Sequence, residues 1–428
     1  MKAFGFFLAL GSLARGGLAQ QQFLARLPSC AARCVIATVP TSSCSPADFG
    51  CLCADSTFMN TAAACNAANC TVVEVLQATN QTLAACGVPT RDQSGTLMAV
   101  VASLGSIALL MVLLRLADRA FSQHVRLGWD DLFIGLSGLC SIGMNMPVIV
   151  AARLGFGRDI WSIPADNITE SLKWLYVAYF MYMLAECLCQ LSILAFYLRI
   201  MVERQLRLVV WICIGMVFAF GIGNVFAMIF QCTPIAFFWD GWRGEMKGFC
   251  GVDVRLFGFV RGAVEIFLDL VILSLPLPML AKLNMSRKKK LQIMSMFCVG
   301  FVITVVSCLR LWSFVKFAQT QNPTHDNTPG LWWCATESNL FTIVACMPAM
   351  HALVHKFLRN FRSGSSYVSK DYGPYGDHPS KGSYIRHHSD KRQNSIPFGA
   401  IKKSTNVDIT HTERSDSDVE LVIQLPHT

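Results

Sequence analysis

From residue 95 onward the chain alternates between long apolar stretches and short polar connections. Seven stretches, residues 95–114, 132–152, 174–198, 208–230, 256–280, 291–314 and 331–354, each hold about the 20 residues that a helix needs to cross a bilayer core. Lipid admits only helices or closed barrels, and stretches of this length predict helices. Two other regions break the pattern. Residues 1–19 combine Lys2, a short apolar core from Phe4 to Leu13 and the exit Gly17-Leu18-Ala19, which predicts a cleavable signal peptide with the mature chain starting near Gln20. After His355 apolar periodicity stops, and a Ser, Gly, Lys and His mixture predicts a disordered cytoplasmic tail over residues 356–428.

Residues 20–92 contain few large apolar side chains and eight cysteines: Cys30, Cys34, Cys44, Cys51, Cys53, Cys65, Cys70 and Cys86. Disulfides must stand in for much of the missing core, although spacing alone leaves their pairing open. Such a module forms only outside a reducing cytosol, so its fusion to membrane spans implies a cue sampled outside and reported inside. Cys232 and Cys250 bracket a later connection containing Trp239, Trp242 and Phe249, and predict a disulfide that holds an aromatic lid over one end of the bundle.

Composition sharpens this picture. The chain is 53% hydrophobic and 15% charged, so its bulk belongs in lipid. Its net charge of +9 sits in short runs beside apolar stretches, notably Arg287, Lys288, Lys289 and Lys290, which points to lipid headgroups and excludes nucleic acid as a partner. An exported amino terminus and an odd number of spans put the carboxyl terminus in the cytosol. Loop charges agree: Arg115, Arg119, Arg126, Arg199, Arg204, Arg207, Lys282 and the Arg287 run on the expected inner side outnumber the basic residues outside. The sequons at Asn80 and Asn167 then face the compartment of glycan transfer, whereas the one at Asn284 faces inward. The sequon at Asn69 encloses Cys70. The expected location is the plasma membrane.

The string Cys44-Ser45-Pro46-Ala47-Asp48-Phe49-Gly50-Cys51-Leu52-Cys53, with Pro28 before Cys30, resembles the fungal CFEM domain. The resemblance covers all eight cysteines and implies a compact, mostly helical, four-disulfide surface unit. In some members it also implies haem, with the aspartate at the position of Asp48 as axial iron ligand and Phe49 and Phe58 as ring neighbours. A hard carboxylate donor favours ferric iron. Capping a helix or turn is the simpler role for Asp48.

Further strings resemble the fungal rhodopsin-like family of Pth11-like receptors: Leu191-Ser192-Ile193-Leu194-Ala195-Phe196-Tyr197-Leu198-Arg199, then Phe230-Gln231-Cys232-Thr233-Pro234. Others are Asp269-Leu270 with Leu275-Pro276-Leu277-Pro278, Leu309-Arg310, Glu337-Ser338-Asn339 and Cys346-Met347-Pro348. Gln190 stands where that family leads one to expect a lysine. The resemblance implies coupling to a heterotrimeric G protein and sensing of host or apolar surfaces before infection-structure development. The expected fold class is all-α: a small disulfide-rich helical extracellular module (20–92), a seven-transmembrane helical bundle (95–355) and the tail.

Charges inside the spans are the best local clue to mechanism. Arg261, Glu265 and Asp269 recur every four residues and share one helix face, while Glu186, Arg310 and Glu337 come from other spans. Buried charge is costly unless it faces the bundle interior and finds partners, so these six residues predict a network. It would serve as a ligand pocket or switch, or as a static brace. Pro276 and Pro278 predict a bend or stop before the basic run. No nucleophile and base, metal-ligand run or phosphate loop stands at a diagnostic spacing, so a receptor is expected rather than an enzyme. Haem or iron capture through the module is the alternative.

Overall fold

The computed structural model describes residues 21–46, 48–121, 127–201, 203–277, 287–316 and 320–364. The signal peptide, Asn284, Pro278 and residues 365–428 lie outside the described residues.

Among the described residues the cysteine region holds a helical stretch at 21–26 and the helices α1 (Ser29–Thr38), α2 (Phe49–Ala54), α3 (Ser56–Asn69) and α4 (Val72–Ala85). Polar side chains start three of them. Asp48 caps α2, Asp55 caps α3 by accepting from the Thr57 and Phe58 amides at 2.9 and 3.2 Å, and Thr71 and Glu74 form a capping box on α4. Four disulfides tie the helices together. Cys30–Cys70 and Cys34–Cys65 clamp α1 to the far end of α3, Cys44–Cys51 closes the turn before α2, and Cys53–Cys86 ties α2 to the end of α4. The apolar core is small, with Leu27, Ala31 and Ala78 in one cluster and Leu52, Phe58 and Ala62 in another. Each bridge that closes 31 to 40 residues offsets this shortage by about 3 to 4 kcal/mol, through the entropy it removes from the unfolded chain.

Among the described residues seven long helices follow: α5 (Ser94–Phe121), α6 (Trp129–Leu154), α7 (Ala165–Ile200), α8 (Arg204–Ile229), α9 (Val254–Ser274), α10 (Arg287–Lys316) and α11 (Thr328–Gly364). Helices α5 to α8 are long and apolar enough to cross a membrane. The others carry most of the interior charges, and α10 opens on the Arg287 basic run, which lowers their hydropathy. Helix α6 lies along α7, and α11 runs between α5, α6, α7 and α10. Apolar cores stack along the bundle. Leu97, Met144, Val148, Leu175 and Leu331 fill the end nearest the module, Val112, Ile134, Ile303 and Phe341 the opposite half, and Leu194, Val210, Val217 and Ile272 the seam of α7, α8 and α9. The outer face is also apolar, exposing Leu110, Leu113, Leu139, Trp211, Phe218, Phe226, Phe267 and Trp312, as lipid requires.

Several boundaries differ from the apolar stretches. Helix α7 begins at Ala165, nine residues before its stretch, because the amphipathic turn 165–173 continues the helix beyond the apolar run. Helix α11 runs on to Gly364, past the expected start of the tail at 356. Helix α9 stops at Ser274, just before Pro276, where proline denies the next turn a backbone donor. Between α8 and α9, β1 (Cys232–Thr233) pairs antiparallel with β2 (Phe249–Cys250), and Cys232 is bridged to Cys250 directly opposite.

Asp55 reports on module integrity. The Ser42 hydroxyl, 2.6 Å from it, and then the Phe58 amide hold its carboxyl below the usual range; burial opposes them weakly, and the Thr57 amide adds to them. A carboxylate with a lowered folded pKa contributes stability above its unfolded value, near pH 3.9, and loses it as pH falls through the folded value. Protection of α3 amides in the whole chain, measured as hydrogen exchange relative to the intrinsic rate at each pH, should therefore fall below about pH 4. Asp55→Asn should raise exchange at neutral pH and flatten that acid dependence.

Candidate functional site

The six interior charges meet in one cluster among α7, α9, α10 and α11. Spacing on two helices explains how. On α7, Tyr182, Glu186 and Gln190 recur every fourth residue and form a polar stripe; on α9, Arg261, Glu265 and Asp269 do the same. The stripes face each other. Arg261 ion-pairs with Glu186 and, at 3.3 Å, with Glu265, while its guanidinium lies 4.9 Å from the centre of the Tyr182 ring. Arg310 of α10 sits 2.6 Å from Glu337 of α11 and 3.8 Å from Glu186. Tyr182 donates to Glu337 at 2.9 Å and accepts from Arg310, and Ser307 also donates to Glu337.

Gln190 closes the cluster. Its amide nitrogen donates to Glu265 at 3.0 Å and to Asp269 at 2.8 Å. All of these charged side chains are at most 7% exposed, so each depends on the others for compensation. Three carboxylates share the two guanidiniums, and among the described residues Asp269 is hydrogen-bonded by the Gln190 amide. At position 190, where the resemblance leads one to expect a lysine, this chain places a neutral donor between two acids. Tyr182 and Ser307 carry no charge and were missed in the sequence reading, though the i, i+4 spacing before Glu186 marks Tyr182; Gln190 was singled out only as standing in place of an expected lysine.

A second polar cluster lies beside it. Ser141 and Asn145 of α6 both donate to Asn339 of α11, at 3.0 and 3.1 Å, and Asn339 donates back to Asn145 at 3.2 Å. At the end of the bundle remote from the module, Arg115 donates to Asp130 at 2.8 Å, to Asp131 at 3.0 Å and to the Ala345 carbonyl at 2.6 Å. Arg115 is 2% exposed. Within the Leu191-to-Arg199 string, Ser192 donates to the Asp130 carbonyl at 2.7 Å, and Arg199 lies 3.5 Å from the Asp130 carboxylate. Arginines read from sequence as loop charges are therefore structural ties among α5, α6, α7 and α11, because helices α5 and α7 carry them.

At the module end, the segment joining α4 to α5 is pinned to two interhelical connections. The Arg91 amide donates to Asp159 at 2.8 Å and its guanidinium at 2.9 and 3.0 Å, while Asn322 donates to the same carboxylate at 2.7 Å. Gln93 and His325 meet at 3.0 Å, and His325 meets Asp326 at 2.8 Å. Burial pushes Asp326 up, but hydrogen bonds from His325 and Thr320 and the nearby Arg91 hold it below the usual carboxylate range. Asp92 is likewise held low: Ser94 and Arg158 outweigh its burial. Module helix α4 also packs on the short turn Ile160–Ser162.

The module itself carries an apolar groove of about 150 Å³ lined by Phe23, Leu24, Phe49, Leu52, Phe58 and Met59. The Phe23 and Phe49 rings meet edge to face at 5.3 Å. Asp48 is exposed beside Phe49, outside the groove lining, and spends Oδ1 on the Cys51 amide at 3.0 Å. An accessible hard oxygen donor next to apolar surface fits an iron macrocycle in kind. Cys30, Cys70 and Glu74 also lie together, but the two sulfurs are joined and offer no thiolate. In the Cys232–Cys250 connection, Trp242 donates to Thr169 at 3.1 Å and Trp239 packs on Tyr176, so both aromatics anchor this connection to α7. Asn80 and Asn167 are half-buried.

Four helices of spanning length, an apolar outer face and an interior of paired charge define a helical membrane protein. Residues 114–356 match the fungal rhodopsin domain and residues 23–87 the CFEM domain; the first match covers more than half of the chain, which belongs to the fungal rhodopsin domain family. A SAT4 family membrane protein of Emericella nidulans is 26% identical over 57% of this chain and 61% of its own length. Receptor GIN3 of Arthrobotrys oligospora is 29% identical over 44% of this chain and 45% of its own. Fugralins biosynthesis cluster protein 2 of Gibberella zeae is 21% identical over 62% and 75%. The chain thus spans under two thirds of the length of the first two relatives. No solved structure matches.

The interior cluster predicts non-additive mutants. Arg310→Gln strands Glu337 and should lower stability by about 3 to 5 kcal/mol. Glu337→Gln in the same chain should restore part of it, with a coupling of at least about 1 kcal/mol in thermal unfolding of the detergent-solubilised protein. Strict additivity would mean that the two side chains act independently.

Proposed function

We propose that this chain is a seven-span surface receptor of the Pth11-like kind, with the module outside, the carboxyl terminus inside, and a heterotrimeric G protein as its partner. The observation that carries this reading is the buried charge cluster, which offers exchangeable ion pairs to four helices at once. Glu186 has two guanidiniums within reach and Arg261 two carboxylates, so a small rotation of α9 against α7 trades one pair for another at modest cost. Above the cluster, the pinned linker connects the module to α5, α6 and α11. Below it, Arg115, Asp130 and Arg199 tie the opposite ends of α5, α6 and α7. A cue bound outside then biases a two-state bundle and alters the surface offered to a partner inside. Similarity to a protein named as a receptor supports this reading. The cue would be a surface or a small molecule, in keeping with host sensing before infection structures form.

The test needs no ligand. Purified full chain in vesicles with a fungal heterotrimeric G protein should accelerate guanine-nucleotide exchange. Glu186→Gln should shift that basal rate severalfold while membrane insertion is unchanged. An exchange rate identical with and without the chain, for native protein and variant alike, would sink the assignment.

A second reading concerns the module. Asp48 is an exposed carboxylate beside the apolar face of Phe49 and Pro46, so it would hold ferric haem with those side chains against the ring. Bound haem would supply an iron centre that responds to redox state. Ferric haem added to the full chain should give an absorbance change that Asp48→Ala abolishes; an unchanged spectrum with native protein would remove this reading.

A further inference from the structure

A cleft of about 230 Å³ lies where the module meets the bundle, between α4 and residues 161–165. It has room for about eight waters at liquid density, the scale of a sugar ring. Its wall is half polar and half apolar. Leu76 and Trp161 supply apolar surface, and Gln77, Asn80, Gln81 and Ser162 supply amides and a hydroxyl. A sugar presents the complementary pattern, with carbon-bound hydrogens on its faces and hydroxyls at its edges. Aromatic surface with a few placed polar groups is how a protein reads such a ligand.

One wall residue, Asn80, opens the sequon Asn80-Gln81-Thr82. In the folded chain Asn80 is half-buried and Thr82 is engaged with the Ala78 carbonyl at 2.8 Å. Any glycan must therefore be attached before α4 docks, as the chain enters the lumen. In that step Asn80 Nδ2 bonds to the anomeric carbon of a lipid-diphosphate oligosaccharide, releasing the lipid diphosphate and a proton. The side-chain amide is short, so the first sugar can lie only in the space next to Asn80, and docking makes that space the cleft.

We propose that the cleft is a carbohydrate site filled in cis by the first sugars of an Asn80-linked glycan, which fasten the module to the 161–165 turn. This rests on the orientation given under Proposed function. Trp161 forms the apolar floor, and Gln77, Gln81 and Ser162 take the ring hydroxyls and the acetamido group. The glycan thereby acts as a wedge between module and bundle.

The test uses the full chain made in a eukaryotic host and mapped by peptide mass. Asn80 should carry glycan that an endoglycosidase releases about tenfold more slowly from the folded membrane protein than from Trp161→Ala, and freely after denaturation. Thr82→Ala should lose the glycan and lower the thermal midpoint, while Thr82→Ser keeps both. Recovery of the Thr82→Ala midpoint by N,N′-diacetylchitobiose would show that the cleft also takes untethered sugar; protection without such recovery would make the tether essential. Bare Asn80 beside glycosylated Asn167, or release equally fast from native and Trp161→Ala protein, overturns the proposal alone. Glycan on Asn284 with Asn80 and Asn167 bare overturns the orientation as well.

Discussion

The arrangement of this protein depends on the expense of charge away from water. Glu186, Glu265 and Glu337 share Arg261 and Arg310 within a space almost closed to solvent, Gln190 joins Asp269 to them, and buried charge of this kind depends on such partners. Apolar contacts between helices inside a lipid-like environment are weakly selective, because a helix gains as much from lipid tails as from a neighbour's leucines. The charge cluster is selective. It sets which faces of α7 and α9 meet, brings α10 and α11 against them, and positions Tyr182 between two helices by giving its hydroxyl both a donor and an acceptor.

The same economy operates at both ends of the bundle. Arg115 satisfies two carboxylates and a carbonyl from two other helices, and Asp159 collects donors from the linker and from a connection far away in sequence. Polar clusters at three levels, separated by apolar layers, make the helices behave as linked rods rather than independent spans.

Much of this was legible from sequence. The apolar stretches located all seven long helices because lipid demands length and apolarity in each segment separately. The cysteine string marked the module because reduced cysteines at such density serve no core. The Arg261, Glu265 and Asp269 stripe exposed its face through spacing alone. Partnerships across elements were less visible. Nothing local to Arg115 says that Asp130 and Asp131 will reach it, and Arg91 has no sequence neighbour that announces Asp159. The disulfide pairing was open for the same reason: spacing constrains chain length between cysteines, whereas packing of α1 on α3 decides which sulfurs meet.

The linker has a consequence for how such proteins can be rebuilt. A domain that is separable as a stretch of sequence is usually treated as interchangeable, like a bead on a string. Here the string is welded: with Asp159 receiving the Arg91 amide, the Arg91 guanidinium and Asn322, the short segment after Cys86 has a set length and a set twist. Adding or deleting one residue there would put Arg91, Asp92 and Gln93 out of register with Asp159, Arg158 and His325. A chimaera cut at the last cysteine leaves this pinned segment behind, whereas one cut after Ser94 carries it along with the module.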